Sequence, residues 1–154
     1  MSAPFPRLLG DVGGTHARWG WQAGAGAPIG DIDVMPVSAH ASLLDAARDY
    51  LARHRHPPPR AAAIGVATPV TGDTVRMTNH PWAFSIDALR SALGVQRLRV
   101  LNDFEALALA LPVLGAADLQ ALGEAPGARP DPSAPRALLG AGTGLGVSAL
   151  LRCG

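Results

Sequence analysis

The chain contains no lysine, because all 13 of its basic side chains are arginine. A Walker A phosphate loop requires a lysine and a Schiff-base enzyme uses a lysine nucleophile, so this absence excludes both chemistries. There is also a single cysteine, Cys153. One cysteine excludes an intramolecular disulfide framework and a four-cysteine zinc site.

The sequence has little net charge and no long apolar run. Its 13 basic side chains nearly balance 12 acidic ones across 154 residues. A net charge of +1 creates no field that would attract nucleic acid or anionic lipid, so we expect neither as a partner. The longest apolar stretch, 106–114, is interrupted by Pro112 and is too short to span a bilayer. The N-terminus lacks the apolar region of a signal peptide, and we expect a cytoplasmic protein.

Apolar periodicity along the chain predicts an α/β fold. Ser85 and Gly94 are typical of the start and the end of a helix. The predicted strands are 7–11, 15–21, 32–37, 61–67, 97–101, 136–140 and 146–151, and the predicted helices are 41–55, 86–93 and 104–111.

The order of these elements predicts a topology. The first three strands are joined by glycine-rich connections and form an antiparallel meander. Strands joined by helices then imply parallel pairing. After a proline-rich stretch, the last two strands form the first hairpin of a second domain. We therefore expect a small α/β domain over 1–115, a linker over 116–135, and the start of a larger, truncated domain over 136–154.

The segment 10–15 is a candidate phosphate-binding loop between two strands. Gly13 and Gly14 would allow positive φ angles and turn backbone N–H groups towards an anion. Thr15 adds a hydroxyl donor, and Asp11 could hold a divalent cation through water. An ordinary hairpin turn, which needs only the glycines, is the alternative interpretation.

A second glycine-rich loop spans 140–146 and has Gly142, Thr143 and Gly144 at its tip. Its spacing differs from G-x-G-x-x-G, so the Rossmann fingerprint is absent. Two such loops in one chain could face each other around a polyphosphate, which makes the pair more informative than either loop alone.

Asn102 and Asp103 follow a predicted strand and begin a predicted helix. Ligands of open α/β sheets bind at the carboxyl edge of the strands, so Asp103 is a candidate general base. The alternative is that either side chain merely caps the helix.

The segment 77–85 combines polar and aromatic side chains, a composition that suits a carbohydrate. The amide of Asn79 could bind sugar hydroxyls. Packing by Trp82 and Phe84 is the alternative explanation of the aromatic residues. Trp19 and Trp21 are expected in the core.

We expect three of the histidines to be solvated, and we expect no structural metal site. His40, His54 and His56 lie in helix or loop contexts. The sequence has no H-x-x-x-H motif and no zinc-type cysteine and histidine spacing.

Four segments together resemble the bacterial glucokinase family of the actin-like ATPase superfamily. They are 9–18, 69–73 with 77–85, 101–104 and 140–146, in the order that the family has them. The resemblance covers nearly the whole chain. It implies an actin-like (ribonuclease H-like) fold and the glycolytic, ATP-dependent phosphorylation of glucose to glucose 6-phosphate with Mg²⁺, in a cleft between two domains.

The resemblance also implies residue roles. Asp103 would be the catalytic base, and Asn102 and Asn79 would bind the sugar. The ATP phosphates would be bound by two sets of residues, which are Asp11, Gly13, Gly14 and Thr15 in one loop and Gly142, Thr143 and Gly144 in the other, with Asp11 next to Mg²⁺. His16 stands where the family usually has asparagine, a departure within the first loop.

The resemblance leaves further expectations and alternatives. We expect the complete enzyme to be a homodimer, and the chain alone to be inactive and to associate through exposed Leu138, Leu139, Leu150 and Leu151. One alternative is a kinase of the related repressor and kinase group that acts on another hexose or an amino sugar. The other is a non-catalytic sugar-sensing regulator, but the first strand begins near Arg7 and leaves no room for a preceding DNA-binding helix-turn-helix.

Overall fold

A computed structural model describes residues 4–120, 122–123, 131, 134–141 and 145–151. Contacts between residues divide the chain into two compact units, Met1–Asp103 and Phe104–Gly154. The boundaries expected from the sequence, 1–115, 116–135 and 136–154, stay predictions. No helix in the described ranges is long and apolar enough to cross a membrane.

The first unit is built on a five-stranded mixed sheet. Its elements are β1 (Arg7–Val12), β2 (His16–Gln22), β3 (Gly30–Pro36), α1 (Leu43–Arg53), β4 (Ala61–Val66), β5 (Thr74–Arg76), β6 (Ala83–Ser85), α2 (Ile86–Leu93) and β7 (Arg97–Asn102). The strand order is β3-β2-β1-β4-β7. Antiparallel pairing joins β1, β2 and β3, and parallel pairing joins β1, β4 and β7. The predicted α/β class, with a meander followed by parallel crossover units, is confirmed.

Local capping sets the ends of both helices in this unit. The Ser85 hydroxyl accepts the Ala88 N–H at 3.1 Å, and Gly94 ends α2 with a φ of 67°. The predicted bounds of α2 are therefore confirmed. Helix α1 begins later than predicted, because Ser42 caps it by accepting the Asp45 N–H at 3.1 Å, and it ends at Arg53.

The short hairpin of β5 and β6 is absent from the sequence prediction. Each strand has three residues, too few for a period-two pattern to stand out. Val75 faces Phe84 across the pair, and Val75 is fully buried. The hairpin holds the two ends of the loop that contains Asn79.

The core of the first unit lies between the sheet and α1. Trp19 and Trp21 are 1% and 7% exposed, so their predicted place in the core is confirmed. The Trp19 ring stacks on that of Tyr50 with 6.3 Å between the centroids. This aromatic packing fixes α1 against β2.

The expectation that the histidines are solvated is wrong for His40 and His56. Their side chains are 8% and 9% exposed, whereas that of His54 is 28% exposed. The Nε2 of His40 lies 2.9 Å from Asp49 Oδ2. Acidic residues from neighbouring elements and the aromatic core cover these rings. These are tertiary contacts, and the periodicity of the sequence does not reveal them.

We expect His56 to make the stability of the fold depend on pH. Its ring lies flat against Trp21, with the centroids 4.1 Å apart. Burial lowers the pKa of His56 below its usual value of 6.5, although the nearby Asp31 carboxylate opposes the shift. Because the folded pKa is depressed, the unfolded chain binds the proton first as the pH falls, and the fold loses stability below about pH 6.5.

We therefore expect the free energy of unfolding to be lower at about pH 5.5 than at about pH 7.5, measured by urea denaturation. His56→Phe keeps a ring on Trp21 and removes the titrating group, so its pH dependence should be flatter. An equal pH dependence in both proteins would contradict the role of His56.

The second unit contains all but the first residue of α3 (Asp103–Ala110), together with β8 (Arg136–Ala141) and β9 (Leu145–Leu150), which confirms the predicted helix and hairpin. Gly140 and Gly146 face each other across the hairpin. A Cβ on Gly140 would lie 2.7 Å from the Phe104 ring, and a Cβ on Gly146 would overlap that ring. These two glycines therefore make room for Phe104.

One face of the β8–β9 hairpin is apolar and exposed. Leu139, Leu145 and Val147 are 62–70% exposed, and within the described residues the hairpin pairs with no third strand. Leu151 is also exposed, whereas Leu138 and Leu150 are half-buried, which corrects the sequence expectation for those two leucines.

Self-association of the chain stays a prediction. An apolar strand pair with open edges is a template for pairing with another copy. We expect light scattering after size-exclusion chromatography to show oligomers that Val147→Glu reduces. A monomer at all concentrations would contradict this prediction.

Candidate active site

Three parallel strands end side by side at one edge of the sheet. Val12, Val66 and Asn102 end β1, β4 and β7, and they lie side by side in the parallel register. The segments that follow these strands therefore begin next to one another. This is the carboxyl edge, where open α/β sheets bind their ligands.

The first glycine loop forms a shallow depression of about 260 Å³. The residues that line it are Asp11, Gly13, Gly14, Thr15, His16 and Arg18. All four residues predicted for this loop are thus brought together. The sequence analysis missed Arg18, which pairs with Asp11 across the β1–β2 hairpin and could have been found from the register of that hairpin.

The glycines of this loop are required for a different reason from the one expected. Neither Gly13 nor Gly14 has a φ in the left-handed region, and the N–H of Gly13 donates to the His16 carbonyl at 2.9 Å. A Cβ on Gly14 would lie 2.8 Å from the Cβ of Asn79. Close approach to the Asn79 loop, not positive φ, therefore explains Gly14.

Asp11 and Arg18 form an exposed ion pair in the depression. The Arg18 guanidinium lies 3.0 Å from Asp11 Oδ2, and the two side chains are about 60% exposed. Exposed pairs of this kind contribute about 0–1 kcal/mol, so a ligand can displace one partner at little cost. In this depression the Arg18 guanidinium can bind an anion, and the neighbouring Asp11 carboxylate can bind a cation.

Asn102 and Asp103 are linked directly. The Nδ2 of Asn102 donates to Asp103 Oδ1 at 2.9 Å and to the carbonyl of Thr68 at 3.3 Å. Both side chains are half-buried. Asp103 is the first residue of α3, and its carboxylate is held in place by a neighbour that can itself bind hydroxyl groups.

The segment 77–85 separates into a packed part and an exposed part. Trp82 is 5% exposed, and its indole N–H donates to the His40 carbonyl at 3.2 Å, which confirms the packing interpretation of this residue. Asn79 is exposed and touches the first glycine loop at Gly14.

Gly142, Thr143 and Gly144 of the second glycine loop lie outside the described residues. The strands β8 and β9 bracket this loop as the sequence predicted. In the described part of the chain, no three histidine, cysteine, aspartate or glutamate side chains are grouped to hold a metal ion.

The fold is that of the sugar kinases of the actin-like type. A putative sugar kinase from Cytophaga hutchinsonii aligns with a TM-score of 0.69 at 18% identity, over 96% of this chain and 48% of that one. A glucokinase from an Antarctic psychrotroph aligns with a TM-score of 0.82 at 32% identity, over 97% of this chain and 47% of that one.

Within that class, the chain belongs to the glucokinase family, whose model matches residues 8–154. It is 51% identical to a glucokinase of Aromatoleum aromaticum over 99% of this chain and 46% of that protein. It is 52% identical to one of Chromobacterium violaceum over 96% of this chain and 41% of that protein. The chain thus spans less than half the length of these curated relatives.

Proposed function

We propose that the full-length protein transfers the γ-phosphoryl group of ATP to the 6-hydroxyl of glucose. The observation that carries the proposal is that Asn102 and Asp103 lie at the same sheet edge as the depression formed by the first glycine loop. Phosphoryl transfer depends on placing the acceptor hydroxyl in line with the phosphate and on neutralising charge. Membership of the glucokinase family supports ATP and glucose as the two substrates.

Asp103 is the general base in this proposal. Its carboxylate accepts the proton of the sugar hydroxyl as that oxygen attacks the γ-phosphorus. Asn102 holds the carboxylate through its Nδ2 and binds sugar hydroxyls, and Asn79 binds the sugar from the neighbouring loop. General-base catalysis contributes about 10²–10⁴-fold, a rate factor consistent with one positioned carboxylate.

Gly13, Gly14 and Thr15 bind the ATP phosphates in this proposal. Thr15 supplies a hydroxyl donor, and Arg18 adds a positive charge on the wall of the depression. Phosphate binding by Gly142, Thr143 and Gly144 stays a prediction based on the resemblance.

Asp11 fits a Mg²⁺ ion that is held mainly by phosphates. Its carboxylate is about 60% exposed within the depression, and the pair with Arg18 is weak enough to open. Mg²⁺ keeps several waters and commonly uses one or two carboxylates together with substrate phosphates, so a site with a single carboxylate suits it. When bound, the ion would neutralise phosphate charge.

The remaining expectations stay predictions. They are a homodimer, a cytoplasmic location, and the absence of nucleic-acid and membrane partners. Kinases for another hexose or an amino sugar share the fold, so the sugar preference must be measured.

The proposal is tested by a coupled assay of ADP release by the full-length protein with glucose, mannose and N-acetylmannosamine. We expect glucose to give the highest kcat/KM, with little ATP hydrolysis in the absence of sugar. A preference for an amino sugar, or no dependence on sugar at all, would contradict it.

A further inference from the structure

Thr68 is a buried polar residue beside the candidate site. It is 4% exposed. It follows β4 at the sheet edge where Asn102 ends the neighbouring strand. A buried hydroxyl without partners is costly, so the partners of Thr68 show what holds it there.

The hydroxyl of Thr68 connects two points of the Asn79 segment. Its Oγ1 donates to the Arg76 carbonyl at 2.9 Å and lies 2.9 Å from Thr78 Oγ1. A hydroxyl has one proton, and that of Thr68 is used on Arg76, so Thr78 is the donor in the second bond. These two hydrogen bonds in series fix the segment immediately before Asn79.

The carbonyl of Thr68 orients Asn102. It accepts the Asn102 Nδ2 at 3.3 Å, and the same Nδ2 donates to Asp103 Oδ1 at 2.9 Å. Both partners are oxygen acceptors, so the amide nitrogen, and not the amide oxygen, faces them. One buried residue therefore holds the sheet edge, the Asn102 amide and the Asn79 loop together.

We propose that Thr68 is a positioning residue for sugar binding, which sets the relative placement of Asn102 and Asn79 through its carbonyl and its hydroxyl. This inference rests on the proposed phosphorylation of glucose. We expect a larger effect on sugar binding than on ATP binding, because the strands on either side of the first glycine loop pair directly with each other in the β1–β2 ladder.

The test compares Thr68→Val, which keeps the side-chain shape, with Thr68→Ser, which keeps the hydroxyl. Valine leaves the Arg76 carbonyl and the Thr78 hydroxyl without their Thr68 partner. In the full-length protein we expect Thr68→Val to raise the KM for glucose about tenfold, in line with the loss of these two hydrogen bonds, and the KM for ATP far less. Serine should restore most of the glucose KM. Thr74→Val, at an exposed threonine of β5, is the matched control and should behave as wild type.

Thr78→Val removes the same hydroxyl–hydroxyl bond from an exposed position and tests the proposal even if Thr68→Val fails to fold. A higher glucose KM for Thr78→Val supports the proposal. The proposal would be overturned if the folded valine variants had an unchanged glucose KM, if their KM values for glucose and ATP changed equally, or if Thr68→Ser did not restore the glucose KM. Wild-type protein without glucose-dependent turnover would instead contradict the proposed function, and this inference with it.

Discussion

Replacing Asp103 by asparagine should lower the kcat of the full-length protein by about 10²–10⁴-fold, the usual contribution of a general base. The amide cannot accept the proton of the sugar hydroxyl. It does keep a carbonyl oxygen, to which Asn102 Nδ2 can still donate, so the local structure should survive. Steady-state kinetics with glucose and ATP, together with circular dichroism and a thermal melt, measure both effects.

The matched control is Glu105→Gln, which makes the same chemical change two residues further along α3. It should retain turnover close to that of wild type. If a folded Asp103→Asn protein also turned over normally, Asp103 would not be the base. A rise in glucose KM with kcat preserved would assign it to sugar binding alone.

Helix α2 was predictable because local signals decide both of its ends. Ser85 and Gly94 fix both ends of α2, because a cap and a left-handed glycine act within one helical turn. The pairing of β5 with β6 was not predictable, since strands of three residues carry no periodicity and depend on tertiary contacts.

The residues of the candidate site were likewise predictable where a local motif marks them, and not where contacts between distant parts of the sequence place them. Sequence motifs gave the residues of the first glycine loop and of the Asn102–Asp103 pair. They did not give Thr68, whose partners lie between 8 and 34 residues away along the chain. The structure also gives Gly140 and Gly146 a packing role next to Phe104, although their spacing resembles that of a phosphate loop.

The two glycines of the first loop should differ in their tolerance of a side chain. A Cβ on Gly14 would lie 2.8 Å from Asn79 Cβ and 3.3 Å from the Asn79 carbonyl oxygen, too close for either to stay in place. On Gly13 the nearest atom would be the His16 carbonyl oxygen at 3.6 Å, an ordinary contact. From the turn sequence alone, replacement of Gly13 and replacement of Gly14 by a residue with a side chain would be expected to have similar effects.

We expect Gly14→Ala to lower stability by about 1–3 kcal/mol, the usual cost of overpacking. It should also raise the KM for ATP by about tenfold or more, since tenfold corresponds to about 1.4 kcal/mol. Gly13→Ala is the matched control and should change both quantities much less. Thermal melts and steady-state kinetics on the two folded variants give the comparison.

A double variant decides whether Asn79 is the cause. Asn79→Gly removes the Cβ that an alanine at position 14 would meet, so adding it to Gly14→Ala should recover most of the lost stability. In a double-mutant cycle the two changes should therefore be coupled by more than about 0.5 kcal/mol, the level above which neighbours are distinguished from independent sites. Additive losses would mean that Gly14 is required for a reason other than its contact with Asn79. The loop that contains Asn79 and the first glycine loop would then be adjacent without constraining each other.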